Sequence, residues 1–554
     1  MNTNRDQAVD VEYRPFATFS LVWAITTLAH QLAFTFWTES WQGWVLAIAA
    51  VAVIYHPSCS LRFGFLIVAS LMNLWHKLPF VPNHILFEGM LHVIILIAMV
   101  GFFVAGPGRS AFAQVKGEWR NRILLALVAV AVKALYFFLP GIPHGYIPGA
   151  LTTLFLIFAL SRFLFGPTPV GEGRRLYERF APVLRVAVVI MYFWAVIQKL
   201  NWDYFNIDVS CAAQLHTEIA GYFFGLIPTA PWALKCTAFG SLIFELGIPL
   251  LLLFRKTRFA GFIAAIGFHL WLSIHPAAGI FSFTALILGM LVLFLPISWG
   301  QELQALWNRQ LRWLGKGDEI LGRKRARMIV VGGFFLTLVI QGSLYLLIER
   351  SYEVFHKANR IGFFAFFFWA CWISTCYLVA GWKARGRDAS LPNRATWTWA
   401  WLGLIPVLLN GAWPWLGGRT QTSFSMYSNL RSEAAGNHFF LRRNDLFHLQ
   451  TDIVDVIESA PNILGPSKRP RGIQQFANIG FHLLPWFEFR RLVSEMNEDF
   501  EVTYIRNGVE QKLGRKNGEI YGDAEAFEPL PLLQRKFLWF RRLKSLEEPM
   551  CCTH

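Results

Sequence analysis

The sequence predicts an all-α polytopic membrane bundle of about 13 spans with a small C-terminal α+β extramembrane domain. Three observations predict it. Only 16% of residues are charged, 55% are hydrophobic and mean hydropathy is +0.41, whereas soluble proteins carry about 25% charged residues. Apolar runs near the length of a hydrocarbon core recur along the chain as far as residue 412. After Trp415 the pattern changes to short alternating runs such as HLQTDIVDVIES and FEVTYIRNG, the period of half-buried strands.

Taken in order, spans are expected at 16–37, 41–55, 61–76, 84–106, 121–139, 147–165, 186–199, 231–254, 259–275, 279–298, 327–348, 361–382 and 396–412. The first run ends in HQLAFTFW without a small-residue cleavage site, so it is expected to stay as the first span. Several spans are short, which calls for tilt or burial against neighbours. Residues 201–228 are too polar to span freely and too apolar for an open loop, so they read as a re-entrant or interfacial piece. Residues 300–316 place apolar side chains at helical spacing with Arg between, as an interfacial helix does. Beyond residue 417, strands are expected at HFFLRR and the two runs above, with helices near 482–497 and 531–544. The organisation is thus a core over 1–300, an interfacial helix plus three spans over 301–416, and an extramembrane domain over 417–554.

Charge sets the expected orientation. Residues 417–554 hold 18 Lys/Arg against 17 Asp/Glu, so nearly all of the net charge of +16 belongs to residues 1–416. There it collects in alternate loops: Arg109 to Arg122, Arg174 to Arg179, Arg255 to Arg258, Arg309 to Arg327 and Lys383 to Arg394. Cytoplasmic loops gather Lys and Arg, so the N-terminus is expected in the cytoplasm and the last domain outside an inner (plasma) membrane. The lipid bilayer is the expected partner. Nucleic acid is not, because the basic residues form no single face.

Ionisable groups within spans cost roughly 3 kcal/mol or more each near mid-membrane, which makes them candidates for function. Lys199 ends VVIMYFWAVIQK. It reads either as a lysine snorkelling to the interface or neutralising a helix C-terminus, or as a base among aromatic rings, where desolvation favours the neutral amine. Glu245 lies deep in SLIFELGIPLLLLFR and needs a proton or a partner, with Lys199 and His269 as candidates. His84, Glu88 and His92 fall on one helix face. His84 and His92 would stand about 12 Å apart along the axis, too far for all three to share one ion; a hydrogen-bonded polar stripe is favoured, a quinone or substrate contact through His84 and Glu88 comes next, and a metal site last. His216, Glu218 and His275 are weaker candidates, and Lys133 and His30 are isolated. No zinc spacing, Walker loop or nucleotide-binding Gly pattern is present, and no metal is expected. Cys211 and Cys236 flank one segment, and their pairing is open. Tyr427, Asn429, Arg431, Glu433, Asn437 and His438 offer either a binding surface or, as favoured, a docking face.

The segment MYFWAVIQKLNWDYF resembles the lysine-bearing segment of vitamin K-dependent gamma-glutamyl carboxylase and its bacterial relatives, the horizontally transferred transmembrane (HTTM) domain proteins. Asn83-His84, FELGIPLLLLFRKTR and FHLWLSIHPAAGIFSFTALILGMLVLFLP resemble further pieces of that family, in order, within residues 10–300. The resemblance implies an enzyme that uses a reduced quinone of the vitamin K or menaquinol kind. A lysine deprotonates the quinone, whose oxygenated form takes a glutamate gamma proton before CO₂ adds. Lys199 would then be the base, with Asn83 and His84 by the quinone oxygens and an exported peptide as substrate. The hairpin at 119–165 and the spans after residue 300 depart from the pattern, and the family's large lumenal domain has no counterpart. Two other classes compete: a transporter with Glu88, Lys133, Glu245 and His269 along its path, and a scaffold whose outer domain binds an exported partner.

Overall fold

A computed structural model of the chain describes residues 13–33, 40–105, 170–275, 278–347, 352–392, 398–444, 446–461, 463 and 482–552. The expected spans at 121–139 and 147–165, Lys133 and the basic loop at 109–122 lie outside the described residues. The chain divides into two compact units. The first comprises residues 1–73, 91–186 and 248–404, and the second residues 74–90, 187–247 and 405–554.

The first unit is helical. Among its elements are α1 (Pro15–Ala33), α2 (Trp41–Tyr55), α3 (Ser60–Lys77) and most of α4 (Asn83–Ala105). The first part of α5 (Val170–Lys199) and the end of α8 (Pro231–Leu253) belong to it as well. It continues through α9 (Arg258–Ser273), α10 (Ala278–Leu291), α11 (Ile297–Leu314), α12 (Glu319–Leu347) and α13 (Tyr352–Lys383). α1 packs on α2, α10 and α13, and α12 and α13 pack on one another and on α11. Gly289 lets α10 approach α1 closely, since a Cβ there would stand 2.6 Å from the Thr26 hydroxyl. Two buried arginines serve helix ends rather than acids. Arg185 donates to the Leu293 carbonyl at 2.6 Å, and Arg258 donates to the Leu252 carbonyl at 3.0 Å and the Ala389 carbonyl at 2.6 Å. Unsatisfied carbonyls at a helix C-terminus carry partial negative charge, which these cations offset.

Six described helices are long and apolar enough to cross a membrane: Pro15–Ala33, Asn83–Phe103, Val170–Lys199, Pro231–Leu253, Glu319–Leu344 and Arg360–Lys383. A seventh crossing requires Gly279–Phe294 and Ile297–Leu314 to count as one span bent by 118°. The expected 13 are therefore reduced among the described residues. The apolar runs at 41–55 and 259–275 do form helices, but of 15 and 16 residues. These reach only about 22–24 Å at 1.5 Å per residue, short of a 30 Å core. The expected span 396–412 is a 3₁₀ turn, Trp399–Gly403, followed by the nine-residue α14 (Leu404–Ala412). Pro296 explains the bend before α11, because proline restricts the residue before it and ends the preceding helix. α11 occupies the stretch read as an interfacial helix, with Trp313 exposed near its end.

The second unit joins the last part of α5 and the first part of α8 to α6 (Trp202–Phe205), α7 (Cys211–Gly221) and everything after Ile405. The polar-apolar segment 201–228 is thus two short helices and turns. After α14 the chain builds a five-stranded antiparallel sheet of order β2-β1-β3-β4-β5. Its strands are β1 (Ile453–Ala460), β2 (Leu483–Pro485), β3 (Phe500–Arg506), β4 (Val509–Lys516) and β5 (Glu519–Tyr521). Val454, Val456, Val502, Tyr504 and Leu513 project from the sheet into one core with Phe489 and Val493 of α15 (Trp486–Glu495). The second expected helix is shorter, α16 (Leu532–Phe537). HFFLRR forms no strand; it contributes one isolated bridge, His438 to Asn201.

Candidate functional site

Lys199 is the last residue of α5, and Glu245 lies about two turns before the end of α8's membrane-length run. The Lys199 ammonium donates to both carboxylate oxygens of Glu245, at 2.8 and 3.0 Å, and to the Ala195 carbonyl at 3.4 Å. The side chains are 6% and 15% exposed, so the pair is sheltered but not sealed. A charge at this depth persists only when paired. Of the partners considered for Glu245, Lys199 is the one it meets in its own unit. His269 belongs to the first unit, between the rings of Phe268 and Phe283, and its carbonyl accepts from the Thr284 hydroxyl.

Three hydroxyls surround the pair. Tyr192 stands two turns before Lys199 on the same face of α5 and interacts electrostatically with Glu245. Ser241 is one turn before Glu245 on α8, and its hydroxyl is 2.5 Å from that of Tyr204 on α6. Tyr204 also interacts electrostatically with Glu245. Sequence reasoning missed all three. The serine-glutamate spacing of four and the tyrosine-lysine spacing of seven were signals that could have found two of them.

Asn83 heads α4, and its side-chain oxygen accepts the backbone N–H of Phe424 at 2.8 Å. His84 and Glu88 follow on the same helix, both buried in the second unit. His92, in the first unit, accepts from the Trp23 indole at 2.8 Å. The stripe on α4 is therefore real as a buried polar face. His30 meets the Ser282 hydroxyl at 2.7 Å in a structural contact. His216 accepts from the Thr237 hydroxyl through Nδ1 and donates through Nε2 to the Pro228 carbonyl, and Glu218 accepts from Gln214.

A knot of hydrogen bonds ties residues 419–438 to the end of α5 and to α6. Gln198 donates to the Ser423 and Gly411 carbonyls, and Asn201 donates to the Ser428 carbonyl at 2.7 Å. Asn437 donates to the Asp203 carboxylate at 2.6 Å. His438 Nε2 donates to the Ile197 carbonyl at 2.8 Å, while its Nδ1 accepts the N–H groups of Phe440 and Leu441. Burial lowers the imidazole pKa below its ordinary value, against the opposing effect of the Ile197 carbonyl. Thr422, Phe424, Tyr427, Asn429 and Ala434 all take left-handed backbone conformations, which persist only where surrounding bonds over-determine them. Of the six residues proposed as surface or dock, Asn429, Arg431, Glu433, Asn437 and His438 bond inward. The docking face holds for Asn429, Asn437 and His438, which reach residues 197–211, whereas Arg431 and Glu433 bond within residues 417–554.

Cys211 is bonded to Cys552, across 341 residues, with Cα atoms 4.9 Å apart. The open question of a Cys211–Cys236 pair is thereby answered: Cys236 is a free, exposed thiol on α8. Distance along the chain hid the true partner, because only the folded second unit brings residue 552 beside α7.

Membrane-length helices, a sheltered lysine-carboxylate pair and a packed α+β domain define the class: a membrane-integral helical protein with a polar site on its spans. Residues 178–299 match the family model of the HTTM domain. That stretch contains both Lys199 and Glu245. No curated protein matches the chain. No solved structure matches it either.

Proposed function

We propose that the protein is an integral-membrane enzyme of the carboxylase-related class, in which Lys199 takes a proton from a reduced, lipid-soluble quinone. The observation that carries this reading is the sheltered Lys199–Glu245 pair within the HTTM domain. An ammonium is no base, but a carboxylate at 2.8 Å gives it a place to put its proton. With the proton on Glu245, Lys199 Nζ becomes a neutral amine held by the Ala195 carbonyl and ready to accept another. A lysine suits this role because its pKa moves readily with its surroundings.

The residues present fit such a cofactor. Phe239, Ile243, Phe244 and Leu246 flank the pair as exposed apolar side chains on α8, a surface that a lipid-dissolved ring system would reach without crossing water. Bound there, a reduced quinone would supply reducing equivalents and, with oxygen, a strong base. The chain's part is to accept the hydroxyl proton at Lys199 Nζ while Glu245 holds the proton that the ammonium gave up. His84 and Asn83 are proposed near the quinone oxygens. Carboxylation of an exported peptide is the proposed outcome. The Cys211–Cys552 bond supports an extracytoplasmic position for residues 417–554, since disulfides persist in oxidising compartments, and the alternate basic loops support a cytoplasmic N-terminus.

The test is mass spectrometry of lipids co-purified with wild type and with Lys199→Ala. A quinone retained by wild type and depleted in the variant is the expected result. Equal retention, or none in two well-folded proteins, would overturn the reading.

A further inference from the structure

Tyr204 is held from an unexpected distance. α6 is a single turn, too short to persist alone. Its N-terminus is capped by the Asn201 side chain, which accepts the Tyr204 N–H at 2.9 Å, and Ser210 Oγ donates to the Tyr204 carbonyl at 2.6 Å. The adjacent Asp203 carboxylate accepts the backbone N–H of Met550 at 2.8 Å. Asn429 donates to the Met550 carbonyl at 2.8 Å and to that of Val209 at 2.8 Å, and accepts the Cys211 N–H at 2.7 Å. Arg431 donates to the Glu548 carbonyl at 2.8 Å, and the disulfide from Cys211 to Cys552 closes the ring. Residues 548–552 thus lie across α6 and α7 with backbone, side-chain and covalent ties. On its other side Tyr204 meets Ser241, one helical turn from Glu245.

We propose that residues 548–552 act as a strap that fixes Tyr204 against Ser241, and that this contact positions the Glu245 carboxylate toward Lys199. Tyr204 and Ser241 are positioning residues in this scheme; they need not touch substrate. The strap explains why a sheltered lysine-carboxylate pair sits beside a one-turn helix: α6 borrows its rigidity from residues nearly 350 positions later. The inference rests on the reading of Lys199 and Glu245 as the working pair.

The titratable groups facing Glu245 are Lys199 and Tyr192 from α5 and Tyr204 from α6. Asp203, on α6, is engaged by Asn437 and Met550. The test therefore reads Glu245 directly. The full chain in lipid nanodiscs is treated with dicyclohexylcarbodiimide, which modifies protonated carboxyls in apolar surroundings, and Glu245 modification is followed by peptide mass spectrometry across pH. Melting temperatures confirm that each variant is folded. Tyr204→Phe and Cys552→Ser should each accelerate modification about five-fold, the scale of one neutral hydrogen bond, and shift the pH at which it is half-maximal. Ser241→Ala should behave like Tyr204→Phe, and Ser241→Thr, which keeps the hydroxyl, should restore the wild-type rate. Should Cys552→Ser fail to fold, Tyr204→Phe, which removes one oxygen, decides the matter. Rates and pH profiles within two-fold of wild type in folded Tyr204→Phe would overturn the proposal. The assay needs no quinone, so loss of the quinone reading would appear in the lipid analysis and loss of the strap in the labelling.

Discussion

Two buried ion pairs in the second unit invite comparison. Arg541 and Glu433 meet side by side, with guanidinium nitrogens 2.9 and 3.2 Å from the two carboxylate oxygens. Their side chains are 2% and 0% exposed, and the carboxylate also accepts the Ser432 N–H. Lys199 and Glu245 are equally close but less enclosed, and they lie on membrane-length helices beside exposed apolar side chains. The difference is chemical as well as geometric. A guanidinium does not lose its proton in proteins, and its planar fork fixes register. An ammonium on a flexible stem can pass its proton to its partner. The sealed pair therefore reads as a rivet and the lysine pair as a site.

The comparison can be broken most sharply at Lys199. Lys199→Arg keeps the charge but removes the transferable proton. Hydroquinone-dependent turnover should fall by about 100-fold or more, as loss of a general base does, with the melting temperature nearly unchanged. Full turnover in Lys199→Arg would place that pair with the rivets. The converse test removes one partner of the rivet. Arg541→Met leaves Glu433 buried and unpaired and should destabilise the fold by about 3–5 kcal/mol, read as a large drop in melting temperature. Arg541→Met combined with Glu433→Leu should recover most of it. If the single variant melts like wild type, the enclosure argument is wrong.

A smaller effect should sharpen the role of the knot that holds α5. The His438 pKa is lowered in the fold, so the folded state prefers the neutral ring. Its contribution is therefore present above the ordinary histidine value near 6.5 and is lost as pH falls through the lowered folded value. Protonation at Nδ1 would set a third donor against the N–H groups of Phe440 and Leu441. Melting temperature should decline on acidification below about pH 6.5, and His438→Gln should flatten that decline. An identical pH dependence in the variant would remove His438 from the account.

The sequence by itself determined the class of the molecule. Composition and apolar run length require lipid-facing helices, and alternation after residue 450 requires strands such as β1 and β3. It also singled out Lys199 and Glu245, because an ionisable residue in an apolar run is conspicuous without any knowledge of contacts. What counts as a span was less legible: hydropathy marks α2, α9 and the 396–412 stretch as apolar, but not that α2 and α9 stop at 15 and 16 residues or that a 3₁₀ turn at Trp399 interrupts the last stretch. Only the tertiary structure decided which partner each polar group took. Asn83 Oδ1 accepts the Phe424 backbone N–H, Cys211 reaches Cys552 rather than Cys236, and Tyr204 reaches Ser241. The physical reason is range. Burial and periodicity are set within a few residues, whereas a hydrogen bond or disulfide is set by whichever group the whole fold brings within about 3 Å.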